Sequence, residues 1–259
     1  MINTKVFLIV LSFTMSYLSE AKSINEMVLI PGGSYQPLFK SLNNITNSII
    51  VQDFYLDKYP VTNGEFYEFV SNKTEWNVKN IKSIFADDNY LNQWADLNNF
   101  NAINNIPVVN ISWFAAEAYC KYVNKRLPLL DEWEYVAVAS DVSSNSKNDL
   151  VYLKKILDWY TKDKIKSFLN NEEMEKNYWG VYDMHSGIWE WVYDFNSIIL
   201  INTDSEGGGL EEILYCGAVA TNSIDPSDYL SFMRFAFRSS LEANYTITTL
   251  GFRCAKDVD

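Results

Sequence analysis

The sequence predicts one domain that mixes helices and strands and is rich in turns. Hydrophobic residues make up 48% of the 259 residues, enough to bury a sizeable core in one large domain. Short strand-like and helix-like segments follow one another without an internal repeat or an interdomain linker. The last third, from Tyr178, is rich in Trp, Gly and turn residues, and Gly207–Gly209 is expected to form a flexible loop tip.

The first half of the chain carries the strand signals. Met27–Tyr35 predicts a strand that enters a Gly-Gly turn, and Val51–Asp57 predicts a second strand. Thr62-Asn63, after Pro60, is expected to give a turn and the N-cap of a short helix over Gly64–Val70. The Asn-rich stretch from 71 to 106 is weakly periodic, so we expect a long excursion with a few helical turns.

The middle of the chain carries the helix signals. Ser112 is expected to cap a helix whose apolar residues recur at helical spacing as far as Val123. Leu127-Pro128 should end it, and Asp131 is expected to cap the next helix. After a polar stretch, 150–169 predicts a third helix.

The N-terminus has the pattern of a secretory signal peptide. Lys5 supplies the positive charge, Val6–Met15 is an apolar run too short to span a membrane, and Ser19-Glu20-Ala21 offers a cleavage site. We therefore expect a signal peptide over 1–23 and a mature domain over 24–259. The mature protein is expected to be secreted or periplasmic, with membrane attachment only through an uncleaved signal.

Charge and residue usage limit the chemistry. The net charge is −12 and no basic cluster stands out, so a phosphate backbone would be repelled and no nucleic-acid partner is expected. The chain has three cysteines, Cys120, Cys216 and Cys254, so one disulfide would leave one thiol over. It has a single histidine, His185.

Seven segments, in order, resemble the formylglycine-generating enzyme (sulfatase-modifying factor) family. They are Met27–Ser34 (MVLIPGGS), Tyr59–Phe66 (YPVTNGEF), Pro107–Ala115 (PVVNISWFA), Ala118–Cys120 (AYC), Lys125–Tyr135 (KRLPLLDEWEY), Trp179–Trp191 (WGVYDMHSGIWEW) and Leu250–Ala255 (LGFRCA). The resemblance implies an α+β fold, a loop-rich variant of the C-type lectin fold with little regular secondary structure.

The residues that the family's oxidases need are missing. Those enzymes hold copper with two thiolates, and the matching positions here, counted back from Arg234, are Asp225 and Leu230. Soft Cu(I) needs soft ligands, so we do not expect formylglycine synthesis. A related branch binds iron through several histidines, which His185 alone cannot supply. A copper or iron cofactor is therefore left open, without a ligand set.

The resemblance implies one disulfide and one calcium site. Cys120 and Cys254 match a family disulfide, whereas Ala137 and Phe235 replace both cysteines of a second one. Four residues match the calcium site, with two carboxylates and two backbone carbonyls as ligands: Asp183, Ser186, Ile188 and Glu190. The alternative is that Asp183 caps the turn and Glu190 pairs with an arginine such as Arg253.

Four further residues are candidates for catalysis, namely Cys216, His185, Arg234 and Arg238. Cys216 is the thiol left over, and Arg234 and Arg238 flank the place of the oxidase groove. His185 could shuttle protons, although a lone histidine is more often structural. Arg126, Glu132, Glu134 and Arg253 are expected to form buried ion pairs. The tryptophans are expected in the core, with an aromatic-lined peptide or sugar groove as the alternative.

Three functions fit this sequence. The first is an accessory or maturation factor that binds another exported protein or peptide. The chain resembles short, signal-bearing bacterial members associated with copper-containing nitrite reductases. The second is a metal-dependent oxidoreductase like the family members of siderophore maturation. The third is a calcium-dependent module that binds a peptide or glycan.

Overall fold

The structure, a computed structural model, describes residues 26–37, 48–95, 100–161, 175–185, 187–196 and 229–258. The helices in these ranges are α1 (Asn63–Asn72), α2 (Phe100–Ile103), α3 (Trp113–Tyr122), α4 (Leu130–Ala137), α5 (Leu150–Thr161) and α6 (Tyr229–Ser239). The strands are β1 (Met27–Ile30), β2 (Gly33–Tyr35), β3 (Ile49–Val51), β4 (Phe54–Asp57), β5 (Trp189–Glu190), β6 (Leu250–Gly251) and β7 (Ala255–Asp257). The elements are short and loops connect them, which confirms the loop-rich α+β prediction.

The largest sheet joins the two ends of the described chain. It has the order β1-β4-β7, and both pairings are antiparallel. The predicted second strand is in fact two strands, β3 and β4, separated by Gln52 and Asp53. Asp53 Oδ1 accepts a hydrogen bond from the Gly32 amide at 2.7 Å, which fixes the turn between β1 and β2.

A third, parallel pairing holds β6 beside β5. Gly251 in β6 is needed there, because a Cβ atom on it would lie 2.2 Å from the backbone oxygen of Val108. Any larger residue would push this strand away from its neighbour. The glycine of the LGFRCA segment therefore lets the strand before Arg253 and Cys254 lie deep in the fold.

Local signals placed two helix starts correctly and one incorrectly. Thr62 caps α1 through a capping box with Glu65, and Ser112 caps α3 by accepting a hydrogen bond from the Ala115 amide. The prediction that Asp131 caps the next helix is wrong, since α4 begins at Leu130 and Asp131 lies in its first turn. Across the part of the chain that the structure describes, no helix is both long and apolar enough for a membrane span.

The core is aromatic and contains one charged side chain of comparable size. The largest fully buried side chains include Trp133, Trp191, Phe54, Phe66 and Phe252, together with Arg253, which is 0% exposed. Burying a guanidinium is costly unless it is paired, so its partner must be part of the core.

Candidate functional site

Glu190 is the partner of Arg253. Arg253 donates hydrogen bonds to both carboxylate oxygens of Glu190 at 2.8–3.0 Å, and both side chains are fully buried. The guanidinium also donates to the backbone oxygens of Asp57, Lys58 and Tyr182. The pair therefore ties β5 and the C-terminal segment to the end of β4, as the alternative to the calcium site predicted.

The carboxylate of Glu190 does not fit a calcium ligand. Trp133 Nε1 donates to its Oε2 at 2.7 Å, so with Arg253 the carboxylate accepts from three N–H groups, one of them shared between both oxygens, and is committed to these donors. The adjacent Arg253 would also repel Ca²⁺. Among the described residues, no group of three or more His, Cys, Asp or Glu is placed to hold a metal ion.

The other predicted calcium ligands are only partly visible. Asp183 is buried and has a left-handed backbone conformation (φ 54°), and Ile188 is buried just before β5. Ser186 lies outside the described residues. We therefore derive no chemistry from calcium at this loop.

Arg234 and Arg238 meet on one carboxylate, that of Glu134 in α4. Arg234 donates from Nε and Nη2 at 2.6–3.1 Å, and Arg238 donates from Nη1 at 2.7 Å. All three side chains are at most 6% exposed. Burial alone would raise the pKa of Glu134, but the two guanidinium groups outweigh it and lower that pKa. The predicted buried ion pairs of Glu134 and Arg253 are thus confirmed, and Glu132 pairs with Arg126, which is 27% exposed.

The two arginines differ in their remaining contacts. Arg238 lies over the ring of Trp133, 4.4 Å from its centroid, and its Nη2 makes no hydrogen bond with the described residues. Arg234 instead donates to Ser231 Oγ at 2.8 Å and to the hydroxyl of Tyr160 at 3.4 Å. Glu134, Arg234 and Arg238 form an ion cluster, and Arg234 connects this cluster to Tyr160, which lies next to the single histidine.

His185 is held between Tyr160 and the end of α4. Its Nε2 lies 2.7 Å from the backbone oxygen of Ala137, which can only accept, so Nε2 carries a proton. In the neutral ring Nδ1 then accepts from the Tyr160 hydroxyl at 3.2 Å. The imidazole is 3% exposed and packs against Trp133, Tyr152 and other rings. Of the candidate catalytic residues, His185 and Arg234 are brought together through Tyr160, which the sequence did not single out.

Small cavities lie on two sides of His185. One is lined by Tyr152, Trp159 and Lys155 among others, and the other by Leu230, Ile156 and Arg234. The centre of a water molecule can occupy about 30 Å³ in the first cavity and about 20 Å³ in the second, so each has room for one or two waters. Neither has room for a larger organic substrate in this conformation.

Leu230 is the residue that the family resemblance aligns with the second oxidase thiol. It lies in the first turn of α6, is 4% exposed and lines the cavity beside His185. A buried leucine has no lone pair for a metal and fills its place with apolar contacts. Asp225, at the other thiol position, and Cys216 lie outside the described residues.

A carboxylate from a distant segment caps α4. Asp194 Oδ1 accepts a hydrogen bond from the Leu130 amide at 2.7 Å, and Glu132 Oε2 accepts one from the Leu129 amide at 2.8 Å. Asp131 is left in the same turn with no such function. Its burial, followed by the charges of Asp194, Glu134 and Glu132, raises its pKa to about 6.

Replacing Asp131 with asparagine is expected to stabilise the protein at neutral pH. The pKa of Asp131 is higher in the folded state than in the unfolded state, so ionisation destabilises the fold as pH rises from about 4 to 6. We expect Asp131→Asn to gain about 1–2 kcal/mol at pH 7.5, since partial exposure and the helix dipole reduce the full effect. The gain should disappear at pH 4. Urea unfolding across this range measures it, with exposed Asp88→Asn as the control.

Comparison with known proteins gives the family. Residues 14–258 match the family described as "Sulfatase-modifying factor enzyme 1-like domain". The match covers nearly the whole chain and begins inside the predicted signal segment. The chain belongs to the sulfatase-modifying factor enzyme 1-like family, and the loop-rich α+β architecture agrees with that membership.

Its relatives include both enzymes and a protein named as inactive. The chain is 26% identical over 251 residues to serine/threonine-protein kinase pkn1 of Chlamydia pneumoniae (91% of this chain, 38% of the kinase). It is 23% identical over 292 residues to the formylglycine-generating enzyme of Mus musculus (91% and 76%). It is 30% identical over 153 residues to inactive C-alpha-formylglycine-generating enzyme 2 of Bos taurus (46% and 50%). The chain spans about two fifths of the length of the Chlamydia kinases it matches.

Proposed function

We propose that this protein is an exported accessory or maturation factor that binds another exported protein and has no formylglycine oxidase activity. Leu230 is the observation that carries the proposal. It replaces the second copper-binding thiol with a buried apolar side chain. The neighbouring Arg234 is committed to Glu134 and Tyr160, so polar groups that remain there support the fold.

The predicted export signal and the resemblance to short bacterial family members support the choice of partner. Those members are associated with copper-containing nitrite reductases, so an exported copper-containing reductase is the partner class we propose to test first. Binding such an enzyme requires a surface and no catalytic group. A family member that has lost the oxidase thiols but kept its folded core can supply one.

The kinase name of the Chlamydia relatives does not transfer to this chain. Protein kinases place their catalytic aspartate in a His-Arg-Asp sequence and bind magnesium through Asp-Phe-Gly. Here the only histidine, His185, is followed by serine, and the Asp-Phe pairs at Asp53 and Asp194 are followed by tyrosine and asparagine. The similarity covers 38% of the kinase length, which we attribute to a shared non-kinase region.

An aldehyde assay tests the loss of oxidase activity. The mature protein is incubated with copper, oxygen, a thiol reductant and a synthetic cysteine peptide from a sulfatase, and aldehyde is captured with a hydrazide. The formylglycine-generating enzyme of Streptomyces coelicolor, a relative at 26% identity over 179 residues, is the positive control. We expect aldehyde from the control only, and aldehyde formed by this protein would overturn the proposal.

A crosslinking experiment tests partner binding. The full chain is expressed in an exporting host together with a copper-containing reductase, crosslinked, and purified from the exported fraction. We expect a defined complex with the reductase and none with an unrelated exported protein of similar charge. Stoichiometric iron or copper in the protein alone, with turnover of a substrate, would instead favour the oxidoreductase hypothesis.

A further inference from the structure

A row of four partly exposed aromatic rings in mutual contact, with an exposed aliphatic residue next in sequence or one bond away at each end, is a feature of the surface. We call it the aromatic strip and define it as Ile84, Phe85, Phe114, Trp113, Tyr193 and Leu129. Successive rings from Phe85 through Phe114 and Trp113 to Tyr193 have centroids 5.4, 5.5 and 5.9 Å apart. Leu129 follows Pro128, whose backbone oxygen accepts a hydrogen bond from the Tyr193 amide at 2.8 Å. Ile84 precedes Phe85 at the other end.

Four side chains of the strip are open to solvent. Ile84 is 69%, Tyr193 49%, Leu129 40% and Phe85 36% exposed. Single exposed apolar residues are ordinary, but a contiguous row of aromatic rings is typical of binding surfaces. This row is a structural candidate for the aromatic-lined peptide groove, which the sequence left open as an alternative role for its tryptophans.

The backbone beneath the strip is held by long-range contacts. The Trp113 amide donates to the oxygen of Ala243 at 3.0 Å, and Trp113 Nε1 donates to the oxygens of Val192 and Tyr193. The Asp87 amide donates to the oxygen of Asn244 at 2.9 Å. A surface built in this way is preorganised, so little conformational entropy is lost when a ligand binds.

Carboxylates surround the strip. Asp87, Asp88, Glu117, Asp194 and Glu242 lie on the segments that carry it or pack beneath it, against two lysines, Lys82 and Lys121. Lys121 is already paired with Glu117 at 2.7 Å. Burial is the first cause that raises the pKa values of Asp131 and Asp194; neighbouring carboxylates raise that of Asp131 further, whereas the Leu130 amide and Arg238 act to lower that of Asp194. A ligand with positive charges would relieve this repulsion.

We propose that the aromatic strip binds an extended segment of the partner in which apolar side chains alternate with lysine or arginine. Alternate side chains of an extended peptide recur about every 6.6 Å on one face, close to the spacing of the rings. The apolar side would contact the strip and the basic side chains would reach the exposed carboxylates of Asp88 and Glu242. This inference rests on the proposed partner-binding function and specifies where the partner docks.

The strip is separate from the position of the oxidase thiols. Leu230 lies in the first turn of α6, whereas the segment that packs against Trp113 follows the last turn. About 13 Å of helix axis separates these two ends. A partner on the strip therefore needs no chemistry at Leu230.

Fluorescence anisotropy with synthetic peptides tests the strip. The probe is a fluorescein-labelled peptide that alternates leucine and lysine. One comparison peptide has glutamate in place of lysine, and another has serine in place of leucine. We expect the leucine-lysine peptide to bind at least about tenfold more tightly than either, with affinity falling as salt rises. Equal affinity for the glutamate peptide would overturn the charge argument.

Strip variants separate site binding from general attraction to an acidic protein. Tyr193→Ser and Phe85→Ser leave the net charge at −12, so nonspecific attraction should not change. We expect each to weaken binding by about tenfold or more. Tyr178→Ser, which removes a 55% exposed ring packed edge-on against Trp179 in another cluster, is the matched control and should bind normally. Thermal unfolding of each variant checks that it is folded.

The same variants distinguish failure of the site from failure of the proposed function. If folded strip variants bind the peptide and the co-expressed reductase as the wild type does, the strip proposal is wrong, while partner binding itself stands. If the wild type binds neither the peptide nor the reductase, both proposals fail. Loss of both interactions in the strip variants alone is the expected result.

Discussion

Replacing Glu134 with glutamine is expected to lower the free energy of unfolding by about 3–5 kcal/mol. Glu134 is the only carboxylate to which Arg234 and Arg238 donate among the described residues, and its side chain is 1% exposed. Glutamine has a similar shape but no charge, so two buried guanidinium groups would lose their counterion. The cost comes from these unbalanced charges and involves no loss of packing volume. Urea unfolding at pH 7 measures it.

Glu132→Gln in the same helix is the matched control. Its partner Arg126 is 27% exposed and also binds Asp257, so removing the Glu132 charge leaves that arginine both paired and solvated. We expect a loss of about 1 kcal/mol or less. In the wild type, the contribution of the Glu134 carboxylate to the free energy of unfolding should also decrease in acid. Its pKa is lowered in the folded state, so this contribution is lost as pH falls through the folded-state pKa. Equal costs for both variants would contradict the burial argument.

The sequence was sufficient to predict features that depend on residues close together in the chain. The Thr62-x-x-Glu65 pattern is complete within four residues, so the start of α1 could be placed, and Ser112 behaves in the same way. At α4 the same reasoning chose Asp131 and was wrong. Its cap is Asp194, 64 residues further along the chain, and no local pattern points to a partner so distant.

In the candidate site, too, the sequence predicted the residue types but not the contacts between distant segments. The residue types in the ion cluster were visible as family-like arginines and glutamates, but Glu134 pairs with residues 100 and 104 positions away. That one carboxylate serves two arginines follows only from the way α4 faces α6. Tyr160, which links Arg234 to His185, carried no signal beyond lying in a predicted helix. The aromatic strip draws its residues from four segments and could be seen only once they were folded together.

Removing the Cys120–Cys254 disulfide is expected to lower the free energy of unfolding by about 4–5 kcal/mol. The structure contains this bond, as the family resemblance implied, and it joins α3 to the residue before β7. Both cysteines are 0% exposed, and 134 positions separate them. A crosslink over so long a loop removes much of the entropy of the unfolded chain. The expected variant is Cys120→Ala with Cys254→Ala, measured by urea unfolding.

The third cysteine makes the control informative. In a Cys216→Ser background, only one pairing can form, so oxidative reshuffling cannot disguise the result. When reductant is present after unfolding and during refolding, the free energy of unfolding of the Cys216→Ser protein should fall to that of the variant that also lacks Cys120 and Cys254. The same reductant should leave the free energy of unfolding of that variant unchanged. Because the bond is fully buried, reductant added to the folded protein should act only as fast as the protein opens. Rapid reduction without unfolding would show that the C-terminal segment separates from α3 in solution, and the burial of Arg253 beside it would then have to be reconsidered.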